Sequence, residues 1–213
     1  MSISNLKKAS LAAGTVAMIA GTAGAAKTKA VDELINGIKN KSDKVRAEAL
    51  LSAGGVGAPA VKSLAKVMGD KDTEVMRAGK RALWKIVRHV GRPRARDERN
   101  AVVAELMGVL GGDHPTLVRR EALWMLSEIS GRTSIKPITA LLSDKELRED
   151  ARMVLQRIPG KQSLAALKKG LKAAPKDFKL NIAQSLRQRG VKVRGLACVK
   201  LVPTKKTNVK PLK

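Results

Sequence analysis

A nine-residue pattern of apolar and polar positions recurs along the chain. It reads VRAEALLSA from Val45, VMRAGKRAL from Val75, VRREALWML from Val118, LREDARMVL from Leu147 and FKLNIAQSL from Phe178. Small or apolar residues return four, seven and eight positions after the first, which places them on one face of an α-helix. Three of the four intervals between successive phrases are about 30 residues. The interval from Val75 to Val118 is longer, and marks an insertion of about a dozen residues.

A second helical phrase precedes each copy: AVDELINGIK, APAVKSLAKVMG, AVVAELMGVLGG, SIKPITALLSD and SLAALKKGLKAAP. Each is amphipathic and each runs into turn residues. Asp43, Asp72, Asp113, Asp144 and Asp177 stand just ahead of the second helix. A carboxylate there accepts from a free amide and suits the positive helix end. The predicted unit is helix, short turn, helix. One such hairpin cannot bury its own apolar faces, so several must stack to share a core.

Five such phrases in register resemble the HEAT repeat, most closely the short bacterial variety also found in phycobilisome lyases. The resemblance covers roughly residues 30–189. It implies an all-α fold, a right-handed α-α superhelical solenoid of the armadillo/HEAT type with about five helical hairpins. It implies that the second helix of each hairpin lines the concave side. It also implies that the Arg after the leading apolar residue joins the turn Asp in a structural ladder. Arg46, Arg119 and Arg148 match that position, and Met76 and Lys179 depart from it.

Composition fits such a stack. Trp84, Trp124 and Phe178 are the only aromatic rings. A core of Ala, Val, Leu, Ile and Met suits close helix packing and does not suit a sandwich or barrel. Cys198 is the single cysteine, so no intramolecular disulfide can form. His89 and His114 sit in no ligand motif, and neither a metal nor a cofactor is expected.

The first segment is of another kind. Lys7 and Lys8 supply a positive start, Ala9 to Ala26 carries no charge, and small residues close it at Ala23-Gly24-Ala25 or Gly24-Ala25-Ala26. That is the layout of a secretory signal peptide. The expected organisation is a signal peptide over 1–26, a repeat solenoid over 27–190 and a basic carboxy-terminal cap and tail over 191–213. An exported protein, periplasmic or extracellular in a bacterium, follows, with no integral membrane span in the mature chain.

Charge then singles out one region. The formal net charge is +25, a balance that speaks of partners and solubility and not of fold. Arg77, Arg81, Lys85 and Arg88 are spaced along one helical stripe, with Lys80 nearby. No carboxylate stands between Glu74 and Asp97 to neutralise them. The stripe runs into RHVGRPRARDERN, where Gly91 and Pro93 mark a loop carrying Arg92, Arg94 and Arg96. Either this is a contact for a polyanion, for which the arginine fork is suited, or it is a solvated face with a loose loop. Trp84 and Trp124 lie late in second helices. Each is a binding anchor if exposed beside arginines, or a filler between repeats, the commoner fate. The chain carries no acid after Asp177. Residues 191–202 are expected to cover the end of the stack, and 203–213 to form a basic tail.

No phosphate-cradling loop, nucleophile elbow or His-Glu-x-x-His motif is present. Glu48, Glu121, Glu149 and Asp150 read as surface ion pairs of little worth. The expectation is a non-enzymatic binding module for a protein or another anionic macromolecule. Nucleic acid is a less favoured partner: helical-repeat DNA alkylation glycosylases grip duplexes, but the export segment and the shortage of aromatic residues oppose it. A bilin-lyase-like enzyme is less favoured still, since no bilin pocket is identifiable.

Overall fold

The computed structural model describes residues 24–198. Most of the 1–26 segment and the tail from 199 onward lie outside the described residues. Helix α1 occupies 24–38. It is followed by α2 (Asp43–Val56), α3 (Val61–Val67), α4 (Thr73–Val90), α5 (Arg96–Gly111) and α6 (Thr116–Ile129). Then come α7 (Ile135–Ala140), α8 (Arg148–Arg157), α9 (Lys161–Ala173) and α10 (Lys176–Gln188). Short 3-10 turns lead into α3 and α7 and follow α7. The described residues are all-helical, without a strand.

Each repeated phrase lies on an even-numbered helix. On α4 the buried positions are Ala78, Gly79, Ala82, Leu83, Ile86, Val87 and Val90, the three-and-four spacing of a helix that buries one stripe. The even helices meet one another in chain order: α2 packs on α4, α4 on α6, α6 on α8 and α8 on α10. Among odd helices α3 packs on α5 and α7 on α9. One continuous core runs between the two rows, from Leu34 and Ile38 to Ile182 and Leu186. The fifth position of the phrase is where helices of one hairpin come closest. A Cβ on Gly79 would stand 2.7 Å from Val67 Cγ1, and one on Gly37 only 2.6 Å from Ala49 Cβ.

The turn aspartates divide into two groups. Asp72 caps α4, its side chain accepting from the Glu74 and Val75 amides. Asp144 accepts from the Glu146 and Leu147 amides in the turn ahead of α8. Asp43 and Asp177 lie inside the first turn of their helices instead, and α6 starts after Pro115, leaving Asp113 outside. The ladder runs from one hairpin to the next. Arg148 reaches Asp177 at 2.6 Å and Arg119 approaches Asp144 at 3.9 Å. Arg46 stays within its own turn, held by Asp43 and the carbonyls of Asn40 and Lys41. Between the second and third hairpins, where Met76 replaces the arginine, no such pair forms among the described residues.

The insertion is not the loop that Gly91 and Pro93 suggest. Only residues 91–95 lie between α4 and α5, and the remaining length extends these two helices. Arg88 lies in the last turn of α4, and Asp97 and Glu98 open α5, each charge matched to its helix end. Beyond α10 the chain folds back without regular structure. Val191 and Val193 pack against the core.

Candidate basic groove on α2 and α4

Helix α4 displays its cations because its other face is taken by the core. Arg77, Lys80, Arg81, Lys85 and Arg88 are all exposed, and Trp84 is half-buried among them. Together with Leu50 of α2 these six line one groove of about 500 Å³. The packing of α2 against α4 supplies the apolar wall at Leu50, and α4 supplies the charge.

The groove's charges are not equivalent. Lys80 is neutralised from a distance in sequence: Glu121 of α6 sits 2.8 Å from its ammonium. The same carboxylate accepts the Trp84 indole N–H at 2.6 Å. Arg77 pairs with Glu74 at 2.8 Å, both exposed. Arg81, Lys85 and Arg88 face no carboxylate within ion-pair distance among the described residues. The Arg88 guanidinium lies over the Trp84 ring, 5.7 Å from its centroid, a cation–π contact of about 0.5–1 kcal/mol at such a site.

The four remaining candidates lie elsewhere. Arg92 turns back to Glu98, in two hydrogen bonds of 2.7 and 2.9 Å, and donates to the His89 carbonyl. It fastens the α4–α5 turn. Arg94 and Arg96 are exposed on that turn and on the first position of α5, outside the groove. Arg94 holds a left-handed backbone, φ 65°, uncommon for a residue with a side chain. Trp124 is on α6 and remains 46% exposed while its indole N–H donates to Asp150 at 2.8 Å.

The acidic residues of the even helices are more than surface pairs. Asp150 is 5% exposed and accepts from Arg120 at 2.9 Å as well as from Trp124. Glu121 is bonded across the preceding seam in the same manner. Between α8 and α10, Arg152 donates to Ser185 at 2.5 Å and Glu149 receives Asn181. From α4 to α10 this side of the even row is therefore stitched helix to helix by polar side chains. Of its acids Glu121, Glu149 and Asp150 are paired, while Arg81, Lys85 and Arg88 of α4 have no ion-pair partner among the described residues.

A larger groove, about 720 Å³, lies between α7 and α9. Its walls are mainly alanine, and of its three cations, Lys136, Arg148 and Lys169, Arg148 is already paired with Asp177. It gathers no concentrated unpaired charge and none of the candidate residues. Among the described residues no helix is long and apolar enough to cross a membrane. No protein-family model matches the chain, and a search of curated proteins gives no match.

Proposed function

We propose that the chain is an exported, non-enzymatic scaffold whose five hairpins wind as a right-handed superhelix of the HEAT type. It holds an anionic macromolecule against the α2–α4 groove. Support for the superhelix comes from the ordered contacts of even helix with even helix and from the repeated phrase that places them. Support for export comes from Lys7 and Lys8 ahead of an uncharged, small-residue stretch; sequencing the amino terminus of the protein from fractionated bacterial cells tests it.

One observation carries the binding function. Five cations and a tryptophan converge on a single groove, and three of the cations have no ion-pair partner among the described residues. Crowding like charges on a helix is unfavourable, and an anionic ligand removes that cost while gaining charge-assisted bonds. Changing Arg77, Arg81, Lys85 and Arg88 together to Gln tests this. The helical circular dichroism is expected to persist and the melting temperature to stay within a few degrees, since exposed charges contribute little to stability. Retention on immobilised heparin is expected to fall to markedly lower salt. Unchanged retention, or a collapsed melting curve, overturns the assignment.

A further inference from the structure

The outer side of the even row carries apolar anchors beside the cations. Leu51 on α2 is 73% exposed. It holds the same place in its phrase as Arg81 holds on α4 and Trp124 on α6. These helices pack in chain order, so the same phrase position carries leucine, arginine and tryptophan on three successive even helices. Leu50, next to Leu51, forms the apolar wall of the basic groove.

This mixture distinguishes among polyanions. A nucleic-acid strand binding on an aromatic platform needs an open ring face. The Trp84 ring is half-buried, one face lies under Arg88 and its N–H is tied to Glu121. A sulfated glycan has no use for a leucine standing free in solvent. An acidic polypeptide has use for both features: its carboxylates meet Arg81, Lys85 and Arg88, and its apolar side chains cover Leu50, Leu51 and the open part of Trp124. A groove of about 500 Å³ holds side chains and not a folded domain.

We infer that the α2–α4–α6 face docks an acidic polypeptide segment bearing spaced apolar residues, with Leu51 as an apolar contact and Arg81, Lys85 and Arg88 as carboxylate contacts. This deepens the function proposed above and rests on it.

The test uses the full chain and two labelled peptides of equal length and charge. Both are mainly glutamate; every fourth residue is Ser in one and Leu in the other. By fluorescence anisotropy at physiological salt the Leu peptide is expected to bind about tenfold more tightly than the Ser peptide, as burial of an exposed leucine allows. Leu51→Ser, a surface change with little effect on folding, is expected to remove most of that advantage. The quadruple Gln variant is expected to weaken both peptides. Equal affinity for the two peptides overturns the inference and leaves a plain polyanion binder. Oligothymidylate binding more tightly than the Leu peptide overturns it in favour of nucleic acid. Failure to bind either peptide, the oligonucleotide and heparin sinks both the inference and the function beneath it.

Discussion

Two side chains show how local electrostatics closes this structure. Arg189 follows α10 and donates to the carbonyls of Leu155, Gln156, Ile158 and Gly160 and to the Ser163 hydroxyl, at 2.9 to 3.2 Å. The last carbonyls of a helix have no partner within it and form its negative end. One guanidinium thus finishes α8 from the neighbouring hairpin. Arg189→Ala is expected to destabilise the fold by about 2–4 kcal/mol, with Lys restoring only part because it lacks the planar fork; urea denaturation measures both. Asp177 is the second case. The Arg148 hydrogen bond holds its carboxyl below the usual carboxylate range, and the Arg148 guanidinium also lies over the Phe178 ring, 4.9 Å from its centroid. A lowered folded-state value means stability that is present above the unfolded value and lost as pH falls through the folded one. In an NMR titration Asp177 is expected to protonate below the ordinary carboxylate midpoint, and Arg148→Gln to return it there. An ordinary midpoint in the parent chain would show that the ladder rung is absent in solution.

At the level of the helix, spacing decides which residues face inward, and size decides how near two helices come. Gly79 occupies the phrase position that is Ala in three of the other copies, and Val67 presses against it. Gly79→Ala improves helix propensity by about 1 kcal/mol, yet it forces a Cβ into a methyl group 2.7 Å away. Overpacking is expected to win, for a net loss of about 1–2 kcal/mol in thermal unfolding. A gain in stability would mean that α3 yields freely. These helices were largely legible in the sequence because their signal, apolar recurrence every three or four residues, is local. The extension of α4 and α5 was less so, because Gly91 and Pro93 suggested a loop. Beyond the Arg–Asp ladder, pairings across seams were not legible. Glu121 lies 41 positions after Lys80, and Asp150 is brought to Trp124 only by the packing of α8 on α6. Arg187 and Arg189 stand in the acid-free stretch after Asp177, and nothing local in sequence shows their partners. Arg187 holds the Leu196 carbonyl at 2.6 Å, and Arg189 caps α8.

Across the whole molecule each hairpin is secured chiefly by its neighbours. The candidate groove was legible to the extent that the helical stripe predicted it: Arg77, Arg81, Lys85 and Arg88 share it with Lys80 and Trp84, whereas Arg92, Arg94, Arg96 and Trp124 do not. The indoles carry a consequence of their own. The chain has two tryptophans and no tyrosine, and the two report different junctions, Trp84 at α4–α6 and Trp124 at α6–α8. Ultraviolet emission from Trp84→Phe and Trp124→Phe variants therefore gives two optical gauges placed one hairpin apart. In an array coupled mainly to nearest neighbours, damage at one end need not spread evenly. With Arg189→Ala as background, the Trp124 signal is expected to change at lower urea than the Trp84 signal. Coincident transitions would instead reveal one indivisible melting unit, read out by the protein's native chromophores without any attached dye.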